Sequence, residues 1–228
     1  QLALCLGEER TSESEQAAAN RQQLESYFAQ ISTGVDLIVL PEACDRFPAH
    51  SMGERLAYYR TRGNQVRDFM AGVAQAHRCH IAYSAAREMP DGTWRNSTQV
   101  IGRDGQVLGV YNKNHPVITE TTESGILCGR DAPLIECGFG RVGCAICFDL
   151  NFDEIRLQYV RARPDLILFS SMYHGGLMQG YWAYSCRAHV VTSIAGPASS
   201  AYSVFAIPRL GVVPNHSRLE RLAYDMQY

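Results

Sequence analysis

No apolar run in this 228-residue chain approaches the roughly 18 residues that a membrane-spanning helix requires; the densest is the short stretch 36–41. An excess of one charge is lacking as well. Lysine and arginine number 21 against 23 aspartates and glutamates, a net charge of −2, and they are scattered. Nothing there favours nucleic acid or an anionic membrane as a partner. Internal repeats, low-complexity segments and linkers are missing, so one domain over residues 1–228 is expected, with 215–228 a possible arm that docks on a partner. The chain opens at Gln1 inside a strand-like run over 2–6, with no recognisable signal peptide and no initiator Met. A cytoplasmic protein with a few residues trimmed is the expectation.

Cysteine is present in moderate number. Eight lie at positions 5, 44, 79, 128, 137, 144, 147 and 186, mostly inside apolar segments. Without a secretory signal, free thiols are expected in place of a disulfide framework.

Short apolar runs alternate with helical patterns. Strands are expected at 2–6, 36–40, 80–85, 142–147, 165–170 and 190–195. Helices are expected at 14–31, 53–77, 151–163 and 179–189. Between them, 97–102 and 106–111 alternate apolar and polar residues around Arg103-Asp104-Gly105, a hairpin signal. A second hairpin-like pair is 202–207 with 211–213. The pattern is that of a mixed-sheet α/β (α+β) protein with local hairpins and helix crossovers.

Three of these strand ends carry a reactive side chain: Glu42 after Leu40-Pro41, Lys113 after Tyr111-Asn112, and Cys147 after Ala145-Ile146. Ligand sites in sheet proteins favour such edges. Cys147 stands just ahead of a predicted helix, where a helix dipole can favour the thiolate. Together the three suit acyl transfer. The thiol must lose a proton to attack, a carboxylate can take it, and an ammonium can steady the oxyanion that forms. The backbone N–H of Phe148 is a second candidate oxyanion donor.

The combination resembles the nitrilase, or carbon–nitrogen hydrolase, superfamily and its Glu–Lys–Cys triad. Leu40-Pro41-Glu42, the run from Asn96-Ser97 through Tyr111-Asn112-Lys113 to His115, and Gly143 to Asp149 with Glu154 beyond each match one of its motifs, in order. The resemblance covers about residues 2–195. It implies a four-layer α-β-β-α sandwich, catalysis without metal or organic cofactor, and a homodimer or larger homo-oligomer. It also implies a second glutamate that hydrogen-bonds the lysine. Glu120 and Glu123 compete for that role, and Glu123 is favoured because Glu123-Ser124 precedes Ile126-Leu127-Cys128-Gly129 in a family-like way. Cys147-Phe148-Asp149 resembles the amidase branches more than the Cys-Trp-Glu of nitrile hydrolases. The expected partners are therefore a small amide or N-carbamoyl substrate and water.

Pocket depth is expected to depend on the loops 43–51, 119–129 and 172–179, with Phe148, Tyr173 and His174 as lining residues. Other residues are read as structural: His115 as a hydrogen-bonder, Asp149 and Arg187 as supports, Tyr181 and Trp182 as core. The chain departs from the family at Asp153, where a Pro is usual, and after Arg187-Ala188, which is followed by His189. The altered segment after Arg187 motivates an alternative, a non-catalytic binding or assembly protein on the same scaffold. Cys144-Ala145-Ile146-Cys147 is formally a Cys-x-x-Cys, which raises a redox reading. Both cysteines sit in one apolar run and in a strand face opposite sides, and no nearby residues complete a zinc set.

Overall fold

The structure, a computed structural model, describes residues 13–31, 34–46, 50–195 and 201–202. The strand expected at 2–6, the arm at 215–228 and nearly all of the second hairpin lie outside the described residues.

Two sheets carry the fold. In the first, β1 (Leu37–Val39), β2 (His80–Glu88), β3 (Trp94–Ile101) and β4 (Val107–Asn112) lie in chain order. β1 runs parallel to β2 and the other pairs are antiparallel. The Asp-Gly turn closes β3 onto β4, with Gly105 at φ 78° accepting the left-handed geometry the turn requires. In the second sheet β5 (Ile135–Cys137), β6 (Gly140–Ile146), β7 (Leu166–Ser171), β8 (His189–Ile194) and β9 (Ala201–Tyr202) follow one another. β6, β7 and β8 are parallel, joined by α5 (Asp153–Ala162) and α6 (Leu177–Cys186), and the edge strands β5 and β9 are antiparallel. The crossovers explain why β6 and β7 read as continuous apolar runs: both faces are covered.

Strand alternation divides the core. In β2, Ile81, Tyr83 and Ala85 face α1 (Glu13–Phe28) and α3 (Gln65–His77), where Leu24, Phe28, Val66 and Met70 close a first apolar cluster. Ala82, on the opposite face of β2, joins Val100, Tyr111 and the second sheet in a larger cluster that also takes Ile155 and Tyr159 of α5 and Trp182 of α6. These two clusters are consistent with the expected order of helices, sheet, sheet, helices.

Two elements differ from the expected pattern. The helix expected over 53–77 is two: α2 (Met52–Arg62), whose Ser51 and Glu54 form a capping box, and α3, with Gly63 at φ 52° ending the first. The strand expected to reach Cys147 stops at Ile146, and Cys147–Asn151 form a 3-10 turn before α5. Among the described residues no helix is long and apolar enough to cross a membrane.

Candidate active site

The three strand ends meet. Glu42 follows β1, Lys113 follows β4 and Cys147 follows β6. Lys113 Nζ donates to Glu42 Oε1 at 2.8 Å, and both residues are buried. The Cys147 thiol hydrogen-bonds Glu42, and the backbone N–H of Met172 points at its sulfur. All four residues line one cavity of about 280 Å3.

The second carboxylate is Glu120, which corrects the expectation of Glu123. Lys113 Nζ donates to Glu120 Oε2 at 2.7 Å. The same oxygen accepts the Val117 N–H at 2.9 Å. That bond fixes the first turn of α4 (Ile118–Thr122), a short helix that the sequence pattern did not disclose. Glu123 is exposed, at the C-terminal end of that helix. Asn96 completes the cluster: its Nδ2 donates to Glu42 Oε1 and to Glu120 Oε1, each at 2.8 Å. An amide with two N–H groups thus holds two carboxylates around one ammonium.

The backbone at Cys147 is unusual. Cys147 adopts φ 49°, a left-handed conformation that costs a residue with a Cβ. Asp149, fully buried, holds it there. Its Oδ2 accepts the Ile146 N–H at 3.0 Å and the Tyr111 hydroxyl at 2.7 Å, while Oδ1 accepts the His115 N–H at 2.8 Å. His115, stacked on Phe152, is a structural hydrogen-bonder as expected. One turn earlier, the Tyr159 hydroxyl accepts the Cys144 N–H at 2.8 Å and donates to the Cys144 carbonyl at 2.7 Å. β5 pairs with β6 only as far as Val142, so Tyr159 supplies the partner that strand would otherwise give Cys144. Ser170 of β7 donates to the Leu40 carbonyl at 2.8 Å, which ties the Glu42 segment to the second sheet.

Burial, then the Glu42 carboxylate, push the Cys147 thiol up from its ordinary value to about 11; Lys113 and the Met172 N–H oppose them. Burial therefore favours the thiol form of Cys147 over the thiolate that a helix dipole was expected to favour. Lys113 runs the other way. Burial alone would depress its ammonium, yet Glu42, Glu120 and Cys147 outweigh burial and hold it well above its usual range.

The carbon-nitrogen hydrolase family model matches residues 2–192. The chain belongs to the carbon-nitrogen hydrolase family. Among curated proteins, the chain is 30% identical over 154 residues to the hydrolase in the pqqF 5′ region of Pseudomonas protegens, a match covering 66% of this chain and 53% of that protein. It is 23% identical over 165 residues to the omega-amidase of Danio rerio, covering 69% and 59%, and 21% identical over 172 residues to the human deaminated glutathione amidase, covering 69% and 52%. The chain spans about half the length of the curated relatives it matches. Its fold is similar to an amidase of Nesterenkonia sp. AN1, with a TM-score of 0.70 at 17% identity over 82% of this chain and 79% of that one. It is also similar to a Saccharomyces cerevisiae member of branch 10 of the nitrilase superfamily, with a TM-score of 0.67 at 16% identity over 89% and 80%.

The cavity takes part of its lining from the three loops expected to set its depth, through Arg46, Glu120, Ser124, Ile126 and Met172. The expected lining side chains lie elsewhere. Phe148 is 38% exposed and packs edge-on to Phe152. Tyr173 accepts an Asn151 Nδ2 bond at 3.0 Å and packs on Phe169. His174 Nδ1 accepts the Gly176 N–H at 3.2 Å. None of the three lines the cavity. Burial raises the Tyr173 phenol, against the Asn151 bond that lowers it. Reading by motif passed over the roles of Asn96, Arg46 and Arg55. The first stood inside a recognised motif; the others have no spacing signal. Trp182 is core, as expected, but Tyr181 is 44% exposed under the Arg156 guanidinium.

Proposed function

We propose that this carbon-nitrogen hydrolase is a thiol amidohydrolase cleaving the C–N bond of a linear amide or N-carbamoyl compound through a thioester on Cys147. The observation that carries the reading is the Glu42 carboxylate shared between the Lys113 ammonium at 2.8 Å and the Cys147 thiol. Both the Lys113 and Asn96 bonds fall on Oε1. Oε2 is thus the oxygen left for the thiol's proton.

Glu42 takes that proton as sulfur attacks the carbonyl carbon, and the C=O electron pair moves onto oxygen. Lys113, with two of its three N–H bonds committed to carboxylates, and the Phe148 N–H in the first turn after the nucleophile hold the oxyanion. The oxyanion collapses, the C–N bond breaks, and the nitrogen leaves with the proton from Glu42. Water then gives a proton to Glu42 and attacks the thioester. Breaking the C–S bond returns that proton to sulfur. Glu120 holds Lys113 and is the carboxylate closest in role to the second glutamate of the family. Amide chemistry is supported by the omega-amidase and glutathione amidase among the relatives. A nucleophilic cysteine is supported by a solved form of the Nesterenkonia amidase, whose active-site cysteine carries the acetamide moiety of fluoroacetamide. We propose a homodimer as the working form, its contact including the exposed α6 residues Leu177 and Tyr184.

The test is hydrolysis of a panel of ω-amides, N-carbamoyl amino acids and short aliphatic amides by the native protein and Cys147→Ala, with a search by mass spectrometry for the acyl adduct. An adduct on Cys147 and loss of turnover in the variant are expected. Turnover that survives in Cys147→Ala would sink the reading.

A further inference from the structure

A second cavity, of about 520 Å3, opens between the α2–α3 junction and the β2–β3 turn. It shares Tyr59 and Ala86 with the first, but Glu42, Lys113 and Cys147 do not line it. Its walls are rich in N–H donors that lack an acceptor. Arg62 Nε, Arg87 Nε and the Trp94 indole Nε1, all on lining residues, are buried without a hydrogen-bond partner. Trp94 is 5% exposed, and its indole N–H is the only hydrogen-bonding group the side chain has. The ring is stacked against Tyr59 at 6.0 Å, which holds it in place. A buried donor left unpaired is costly, and three around one cavity call for a ligand made of acceptors.

Charge points the same way. Arg62 is matched by the buried Asp45 and Arg67 by the exposed Asp68. Arg87 has no carboxylate partner among the described residues: its Nη2 donates to the Met89 thioether at 3.0 Å and, at 3.4 Å, to Asn112 Oδ1. Burial and then the Arg95 guanidinium lower Arg87, as befits a cation without a counter-charge. Glu88, the only carboxylate among the lining residues, is exposed. Asn64 and Arg67, the N-cap and third residue of α3, also line the cavity, and the Asn64 side chain does not cap that helix. The start of α3 thus adds the positive end of a helix dipole to the same wall.

We propose that this second cavity binds the phosphate group of a small phosphorylated molecule. A phosphate carries nearly two negative charges and three strong acceptor oxygens, so it accepts from several directions at once. The donors here come from α2, the start of α3, β2 and β3, whereas a planar carboxylate matches a single arginine fork. The rest of the volume takes the organic part of the ligand. The site is independent of whether the chain hydrolyses amides.

The experiment titrates the full chain with inorganic phosphate, glycerol phosphate and acetate at constant ionic strength, and follows the indole N–H resonances of its two tryptophans by heteronuclear NMR. The Trp94 resonance, identified by its loss in Trp94→Phe, is expected to move saturably with both phosphates at millimolar concentration. That of Trp182, whose Nε1 donates to the Leu150 carbonyl at 3.0 Å in the core, is expected to stay in place. Arg87→Gln and Arg67→Gln are each expected to weaken binding roughly 10-fold. Arg103→Gln, which alters a surface pair with Asp36 away from the cavity, is expected to leave it unchanged. A Trp94 resonance that about 50 mM glycerol phosphate leaves in place overturns the proposal. So does acetate binding as tightly as phosphate, or an unchanged affinity in both of the first two glutamine variants. A Trp182 resonance at its native position in each variant shows that the fold is retained.

Discussion

The Asp149 carboxylate accepts the Tyr111 hydroxyl at 2.7 Å, and through that bond the strand end that delivers the lysine is fastened to the turn that delivers the thiol. The same carboxylate takes the backbone N–H groups of Ile146 and His115, one on each side of the junction. Asp149→Asn keeps the shape but turns one acceptor oxygen into a donor facing N–H or O–H groups. A stability loss of about 2–4 kcal/mol is expected, read as a lower midpoint in urea, together with a lower kcat. An unchanged midpoint would show that the buried bonds are individually dispensable.

Glu120 and Glu123 separate cleanly by mutation. Glu120→Gln replaces a carboxylate that touches Lys113 and Asn96 and is expected to lower kcat/KM by roughly 100-fold or more. Glu123→Gln alters an exposed side chain and is expected to stay within about 3-fold of native. The reverse order would restore the sequence-based preference.

Alkylation and turnover should part company in Glu42→Gln. The negative charge of Glu42 is, after burial, the second influence raising the Cys147 thiol to about 11, while Lys113 lowers it. Removing the charge leaves Lys113 unopposed, so more thiolate is present at pH 8 and iodoacetamide should modify Cys147 faster than in the native protein. Amide hydrolysis should fall by roughly 100-fold or more, because the base is gone. Slower alkylation in the variant would mean that Glu42 serves thiolate formation even toward an alkylating agent.

Stability should fall on the alkaline side. Cys147 is raised from about 9 to about 11 and Tyr59 from about 10 to about 12, each chiefly by burial. A group raised in the folded state contributes stability that is fully present below its unfolded value and is lost as pH rises through its folded one. The loss attributable to these two therefore begins near pH 9 and continues to about pH 12, and thermal melts over that interval should show it. In Cys147→Ala the drop should be smaller between pH 9 and 11.

The meeting of Glu42, Lys113 and Cys147 was legible because each follows a strand whose apolar run is plain in the sequence, and strand ends of parallel and mixed sheets collect on an edge. The same logic failed at Glu120. Which of two nearby glutamates meets the lysine depends on where a five-residue helix begins, and five residues carry no usable period. β5, three residues long, escaped for the same reason. The break between α2 and α3 falls at Gly63-Asn64 inside the polar stretch 60–65, a turn signal that a reading by helical periodicity passed over. Phe148, Tyr173 and His174 were placed near the thiol correctly in sequence but point into other packing, which only side-chain geometry decides. Arg46 and Arg55, nine positions apart on either side of a capping serine, have no motif, yet both line the cavity.

On the proposed mechanism, the left-handed backbone at Cys147 sets function against durability. A side chain at φ 49° carries a conformational penalty that glycine would not. Within this fold the most chemically useful residue is also one the backbone would be more comfortable without. A Cys147→Gly protein, relieved of that penalty, should lose catalysis and yet resist denaturant better than Cys147→Ala, which keeps the Cβ and discards only the sulfur.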